Sequence, residues 1–500
     1  MTEVQITTWS PQQEAFFDWC QTGSGSCILE AVAGAGKTTS LLEAVENRLK
    51  GQTAILAYNK KIADEIKEKL AKRGIDWKKG QAGTVHSFGF SAYRKAFPNV
   101  KVDDRGDKVI DIVNSIVEHS EELSAVANKI AHMVSMAKQR ALGVLGGISD
   151  FGAWEDIIEH FDIFEEVTPD GAIAAAIQTL KRSNAMTDLI DFDDMVYMPL
   201  VHRVRFWQFD NVMVDEAQDT NPARRAIVRA MVKRGGRVIA VGDRHQAIYG
   251  FTGADADSLD LIAQDFNAIR LPLTITYRCP KSVVNFAKQW VNHIEAAETA
   301  PEGSVSAVTM ADFLKRNDLT DGAAVLCRNT KPLVQTAFKL IAQRIACRVE
   351  GKDVGATLRK LATRWKVKSL NALEDKLGDY LARETTKLLA RKQETKLEQI
   401  KDTIDTLMVI MNQCRVEKNE TVQAVVDYID SLFSENVTGM LVLSTIHKSK
   451  GREWDRVFWL DRANTCPSKY ARQAWQQEQE INLMYVAATR SQNQLFDLTA

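Results

Sequence analysis

A lysine that follows two closely spaced glycines at the end of an apolar run is suited to phosphate chemistry, and Cys27 to Thr39 reads CILEAVAGAGKTT. Gly34 and Gly36 let backbone N–H groups close around phosphate oxygens. Lys37 brings charge to β- and γ-phosphates and Thr38 a hydroxyl to Mg²⁺, with Ala33, Ala35 and Thr39 completing the loop. Ala31 stands where the pattern GxxxxGK[ST] begins with glycine. The plainer alternative is a glycine turn capping a helix. Further on, VMVDEAQD ends an apolar run in Asp215 and Glu216. Asp215 would hold Mg²⁺ through water and Glu216 would activate an attacking water, because phosphoryl transfer needs positioning and charge neutralisation. Alone, such a pair reads as a solvated helix start. Beside the Lys37 loop it reads as the second half of a nucleotide site.

These groups need strands to hold them, and short apolar runs recur with helical segments between them, the pattern of a parallel sheet covered by helices. The clearest runs are Cys27 to Ala31, Ala54 to Ala57, Val212 to Val214, Arg237 to Val241, Ala323 to Cys327, Leu441 to Ser444 and Val457 to Leu460. They predict an α/β fold with two parallel-sheet cores, residues 1–92 with 191–278 and residues 279–349 with 436–500. Each is interrupted by a mainly helical insertion. Residues 93–190 carry VIDIVNSIVEHSEEL and GAIAAAIQTLKRSNAM, and residues 350–435 carry the long Leu-, Lys- and Glu-rich segment Tyr380 to Met411.

At 500 residues the chain exceeds what one core serves, and 45% apolar composition is that of a globular protein. The net charge of −1 supplies no global field for a polyanion, so any nucleic-acid contact must be local. Seven scattered cysteines without a CxxC pair predict reduced thiols and no metal cluster. MTEVQITTWSPQQ has no basic and apolar leader pattern, and no apolar run nears the roughly 18 residues of a membrane span. A soluble protein with no targeting segment is the expectation.

With the two phosphate motifs in view, the chain resembles the UvrD/Rep branch of superfamily 1 DNA helicases, with a flavour of F-box DNA helicases and short phage-type relatives. Nine patterns carry the resemblance in the family order: WSPQQ, AGAGKT, AYNKKIA, TVHSF, VDEAQD, VGDRHQAIYGFTGA, TYRC, STIHKSKGREW and YVAATR. The resemblance implies two RecA-like cores of P-loop type and ATP with Mg²⁺ as cofactors. By it, Gln13 reads the adenine, with Gln12 as the other register. Tyr277 stacks on the base, Glu453 binds the ribose, Gln246 senses the γ-phosphate, and Arg278 and Arg490 complete the site from the second core, as arginine fingers do.

The same resemblance implies single-stranded DNA and its junctions with duplex as partners. The DNA-contacting candidates are Tyr58, Asn59, Lys60, Thr84, His86, Phe88, Phe251, Thr445 and His447. Tyr58 and Phe251 are the candidate base stackers, while Phe88 reads equally as core packing. Two departures stand out. Thr252 follows Phe251 where relatives carry Arg, and the second insertion is short. The basic run from Lys352 to Lys396 reads as a solvated helical face. No carboxylate and lysine cluster has nuclease spacing, so cleavage would fall to a partner.

The implied activity is ATP-driven 3′ to 5′ movement of a monomer on single strands, with duplex unwinding. It would serve recombination, repair or replication proteins in the cytoplasm of a bacterial or phage-infected cell. Two alternatives stay open: a translocase that displaces recombinase filaments with little unwinding, and a nucleotide-gated DNA-binding regulator.

Overall fold

The computed structural model describes residues 9–164, 168–250, 253, 257–320, 322–390, 394–433, 439–471 and 473–499. Phe251 and Thr252 lie outside them. The chain divides into two compact units. One comprises Met1–Val32 and Gly36–Leu273, the other Ala33–Ala35 and Thr274–Ala500.

The first unit is built on six parallel strands in the order Gly80–Thr84, Thr53–Ala57, Phe209–Val214, Val232–Gly242, Cys27–Ala31 and Ile269–Leu273. Every residue of Thr53–Ala57 is buried, as expected for a strand covered on both faces. Because all six run the same way, the loops that leave Cys27–Ala31, Val232–Gly242 and Phe209–Val214 open at one edge of the sheet, side by side. Leu29 pairs with Val241, and Val214 with Ala240, so the three strands end nearly level. The strand that follows Cys27–Ala31 in sequence is inserted three places away, making this edge the crevice where α/β sheets bind ligands.

The second unit repeats the plan in a parallel sheet ordered Ser304–Thr309, Ser491–Thr499, Trp454–Leu460, Ala323–Cys327, Leu441–Thr445 and Cys347–Val349. All seven strands expected from apolar runs are present, some longer: Arg237 to Val241 lies within Val232–Gly242. The strands without such a signal lie mostly at sheet edges. Gly80–Thr84, GQAGT, has no apolar run, and Ile269–Leu273 contains Pro272, which an edge strand tolerates because one side of its ladder is unpaired.

The helical segments differ in how they are held. In the first, Lys108–Val117, Ala127–Gln139, Phe151–His160 and Ala172–Ala185 close on a core of their own around Trp154, Ile130 and Leu180. In the second, Leu377, Leu407, Met411 and Val425 share one core with Val325 and Leu443 of the sheet. Asp402 from Glu394–Val416 caps the helix Thr330–Ala342, accepting from the N–H groups of Thr330 (2.8 Å) and Lys331 (2.9 Å).

Below the first helical segment, two lysines and two aspartates are buried together. Lys108 reaches Asp194 at 2.6 Å, Lys138 reaches Asp194 at 2.7 Å and also Asp191, and Asp194 and Asp191 cap each other's backbone. This cluster joins Lys108–Val117, Ala127–Gln139 and Asp194–Val201. Burial opposes ionisation of Asp194, but Lys138 and Lys108 outweigh it and hold its carboxyl below the ordinary range. At Lys138 two aspartates overcome burial and raise the ammonium, whereas at Lys108 burial prevails over its partners. The stabilising pairing therefore centres on Lys138. Because the Asp194 value is depressed, this contribution is present above the carboxyl's unfolded value and lost as pH falls through acid. Lys138→Met, which leaves Asp191 and part of Asp194 uncompensated, should destabilise the first unit by about 3–5 kcal/mol. Urea unfolding followed by far-UV circular dichroism reads this as a lower midpoint, and an unchanged midpoint would contradict it.

Candidate functional site

The phosphate loop leaves the strand Cys27–Ala31 and enters the helix Lys37–Glu43. Gly34 and Gly36 both take the left-handed backbone conformation, φ +73° and +78°, which a side chain would strain. Gly36 is the residue before the helix, so the first N–H groups of that helix face the loop with no side-chain cap of their own. Thr38 and Thr39 sit in the first turn, partly exposed. Within the second unit, the Ala33 N–H donates to the Tyr485 hydroxyl and the Tyr277 N–H to the Gly34 carbonyl, both at 2.9 Å. Ala35 is buried beside them.

Lys37 turns toward the neighbouring strand ends. Its Nζ lies 3.1 Å from Glu216 Oε1, while Gln218 Nε2 donates to Glu216 Oε2 at 2.5 Å. Gln218 Oε1 in turn accepts from the Asp243 N–H at 3.0 Å, and Asp243 accepts from Gln246 Nε2 at 2.7 Å. A chain of contacts thus runs from the lysine across three strand ends to Gln246. Glu216 itself sits at φ +50°, a left-handed conformation that aims its side chain back at the loop.

Burial pushes the Asp215 carboxyl up to about 7, with Glu216 adding repulsion and Lys37 offsetting only part of it. Burial raises Asp243 as well. Burial also works against the Lys37 charge, but Glu216, Asp243 and Asp215 together raise its affinity for the proton. A divalent cation beside these carboxyls would favour their charged forms. Among the described residues no three His, Cys, Asp or Glu side chains group as ligands. Thr38 and Asp215 are oxygen donors of the kind that a hard cation prefers.

Gln13 is buried. Its amide donates to Ser40 of the phosphate-loop helix (3.1 Å) and closes a capping box with Ser10, while Gln12 is half-buried. In the second unit Tyr277 exposes 49% of its surface. Glu453 accepts from Arg278 and, at 2.8 Å, from Gln492. Arg490 is buried, donating to the carbonyls of Val486 (3.0 Å) and Arg452 (3.1 Å), so in this structure it braces the start of Ser491–Thr499.

Of the strand-contacting candidates, Tyr58, Asn59, Lys60, Thr84, His86 and Phe88 gather after the neighbouring strands Thr53–Ala57 and Gly80–Thr84. Asn59 and Thr84 cap the helices that follow, accepting from Ile62 (3.0 Å) and Ser87 (3.1 Å). Tyr58 stacks on Tyr249 (5.3 Å, 10°), and His86 on Phe192 (4.1 Å, 23°). Burial, then the nearby Arg224 charge, takes the His86 imidazole down to about 3, so it is neutral at physiological pH. Phe88 meets Phe209 edge-on and packs against the sheet core, the structural one of its two readings. In the second unit Thr445 caps Ile446–Ser449, and burial with Arg328 holds His447 neutral, down to about 3.

Several partners carried no signal of their own in the sequence. A small cavity in the first unit has Tyr58, His86, Asp215 and Glu216 among its lining residues. Arg224 lines it too, 5.4 Å over the Tyr58 ring and donating to the Asp219 carbonyl at 2.9 Å. Arg224 lies on the helix Pro222–Met231, where its sequence context is that of any surface helix. Gln218 lies in VDEAQD and Asp243 in VGDRHQ, and a polar residue within such a pattern is the signal that the sequence offers for each. Phe192, exposed and following a two-residue strand, had none.

The fold and site define a pair of parallel α/β units, the first carrying a P-loop with an acidic pair at the adjoining strand end. The UvrD/REP helicase N-terminal domain model matches residues 9–267, and the UvrD-like helicase C-terminal domain model matches residues 306–499. The chain belongs to the UvrD/REP helicase family. It is 24% identical to the ATP-dependent DNA helicase Rep of Escherichia coli, over 53% of this chain and 41% of that protein. With the F-box DNA helicase protein 1 of Schizosaccharomyces pombe it shares 23% identity over 95% of this chain and 56% of that protein. The ATP-dependent DNA helicase PcrA of Staphylococcus aureus matches at 24% over 58% and 40%. The chain thus spans about half the length of these relatives or less. The family implies ATP and a divalent metal. Among the described residues no helix is long and apolar enough to cross a membrane.

The raised Asp215 value makes a stability prediction. Its carboxyl stays protonated in the folded chain to about 7, so its favourable contribution is present in acid and lost as pH rises through that value. Asp215→Asn removes the loss and should raise the melting temperature at pH 8 by about 2–4 °C. Scanning calorimetry at pH 6 and pH 8 checks this, and an equal or lower value at pH 8 would count against it.

Proposed function

We propose that this protein is an ATP-dependent DNA translocase and helicase that moves 3′ to 5′ on single-stranded DNA. The observation that carries the reading is that Asp215 and Glu216, the latter 3.1 Å from Lys37, line one small cavity of the first unit together with Tyr58 and His86. The candidates for nucleotide chemistry and those for strand contact thus share one cavity.

ATP with Mg²⁺, when bound, supplies the phosphoryl group and the metal's charge. The chain's own residues do the rest. Lys37 exchanges Glu216 for phosphate oxygens, which frees Glu216 to accept a proton from water, held in orientation by Gln218. Gln246, tied to Asp243, responds to the terminal phosphate. Asp215 and Thr38 hold the metal, and Gly34, Gly36 and the helix start cradle the phosphates. Gln13 reads the adenine, Tyr277 offers an exposed ring to it, and Glu453 takes the ribose. By the family pattern, Arg278 and Arg490 are the positive charges that the second unit would contribute. Tyr58, Asn59, Lys60, Thr84, His86, Thr445 and His447 contact the strand, with ring faces tolerating any base. Residues 93–190 and 350–435 are the helical insertions of the two cores.

Lys37→Ala should reduce ATP hydrolysis at least 100-fold, on the order expected when a positioned charge is removed, while single-strand affinity changes little. Near-normal hydrolysis would exclude the site. In the wild type, ATPase rate should rise with the length of single-stranded DNA, and duplexes with 3′ tails should be unwound in preference to 5′ tails. A length-independent rate would favour a nucleotide-gated regulator, and unwinding from 5′ tails alone would reverse the polarity.

A further inference from the structure

The opposite edge of the first sheet carries two of the most exposed large side chains of the protein, Trp77 at 61% and Trp207 at 58%. Trp77 leads into Gly80–Thr84 and Trp207 into Phe209–Val214, and the strand between them, Thr53–Ala57, is preceded by Gln52. Thr53–Ala57 lies between the two strands that follow these residues, so Trp77 and Trp207 precede strands two places apart at the same sheet edge. Gln52 Oε1 accepts from the Trp207 indole N–H at 3.1 Å, which sets that ring by its edge. The nucleotide-site edge is a strand's length away, about 17 Å.

The surroundings are basic. Lys50, Lys78 and Arg205 are exposed, and among the described residues none has a carboxylate partner. Lys78 Nζ lies 6.0 Å from the centre of the Trp77 ring. Phe206 is buried between exposed Arg205 and Trp207. Two carboxylates also stand nearby. Asp76 accepts from the N–H groups of Lys78 (2.9 Å) and Lys79 (3.1 Å), and Asp210 holds Lys233 and the Gln52 N–H, both at 2.8 Å.

A folded protein partner needs an apolar centre from which charge is depleted. Here the exposed rings are accompanied by Gln52, which holds the Trp207 indole, and by exposed cations. Isolated ring faces alternating with unpaired positive charge suit a strand whose bases stack and whose phosphates pass between them.

We propose that Trp77, Trp207, Lys50, Lys78 and Arg205 form a second binding surface for single-stranded nucleic acid, on the sheet edge opposite the motif residues. It lets one unit hold a strand at two places, so it lengthens the footprint without adding to the nucleotide site.

The test compares Trp77→Ala/Trp207→Ala with the wild-type chain, using fluorescence anisotropy of oligo-dT of 10 and 40 nucleotides at low salt. The 40-mer should bind about tenfold more weakly, as the loss of stacked bases predicts, with the 10-mer and its ATPase stimulation unchanged. Trp77→Phe/Trp207→Phe should restore most of the loss. Lys50→Ala/Arg205→Ala, exposed changes that spare the fold, should lower the salt slope of 40-mer binding by about 2. Wild-type affinity and salt slope in these variants would overturn the proposal. So would loss of binding to a poly-glutamate peptide with DNA affinity intact, which would assign the surface to an acidic protein. Failure of the motif reading would show instead as a wild-type ATPase that ignores DNA.

Discussion

The buried ammonium of Lys37 and the three carboxylates it faces set the conditions for the rest of the first unit. A charge out of water must be met by another, and Lys37 contacts Glu216 while Asp243 and Asp215 also strengthen its hold on the proton. Burial raises the Asp215 and Asp243 carboxyls. The result is one cluster of ionisable groups held close together. It persists because the parallel sheet determines where each group stands. Three neighbouring strands ending level put lysine, acidic pair and Asp243 in reach of one another whatever the solvent prefers.

The same sheet edge brings the acidic pair and the candidate strand contacts to one cavity. Tyr58 and His86 follow strands adjacent to the one that ends in Asp215, and Arg224 touches both sets, through the Tyr58 ring and the Asp219 carbonyl. Tyr58 also stacks on Tyr249, three residues beyond Gln246. Small shifts at the acidic pair thus have packed side chains, rather than solvent, through which to act. The second unit has its own version. Arg328 grips Glu480 through a fork at 2.8 and 3.0 Å, and His447 sits within its field.

The helical segments show two solutions to the same burial problem. The first gathers its own core and is tied down by the Lys138 cluster, whereas the second merges with the sheet through Leu377, Leu407 and Val425.

The sequence by itself determined which residues could do chemistry and which class of sheet must carry them. Apolar runs such as Cys27 to Ala31 are buried on both faces, so their hydrophobicity is visible without neighbours, and the glycines, Lys37, Asp215 and Glu216 follow them at short range. The family could be named from nine ordered patterns because each is local. Only the tertiary structure decided the edge strands, since GQAGT becomes a strand by pairing with Thr53–Ala57 and not by any preference of its own. It alone decided that Gln13 spends its amide on Ser40, that Arg490 spends its donors on backbone carbonyls, and that Arg224 stands over Tyr58. Spacing along a chain fixes contacts within a turn or a strand. Which side chain meets another a hundred residues away depends on strand order, and strand order is settled by the packing of the whole sheet.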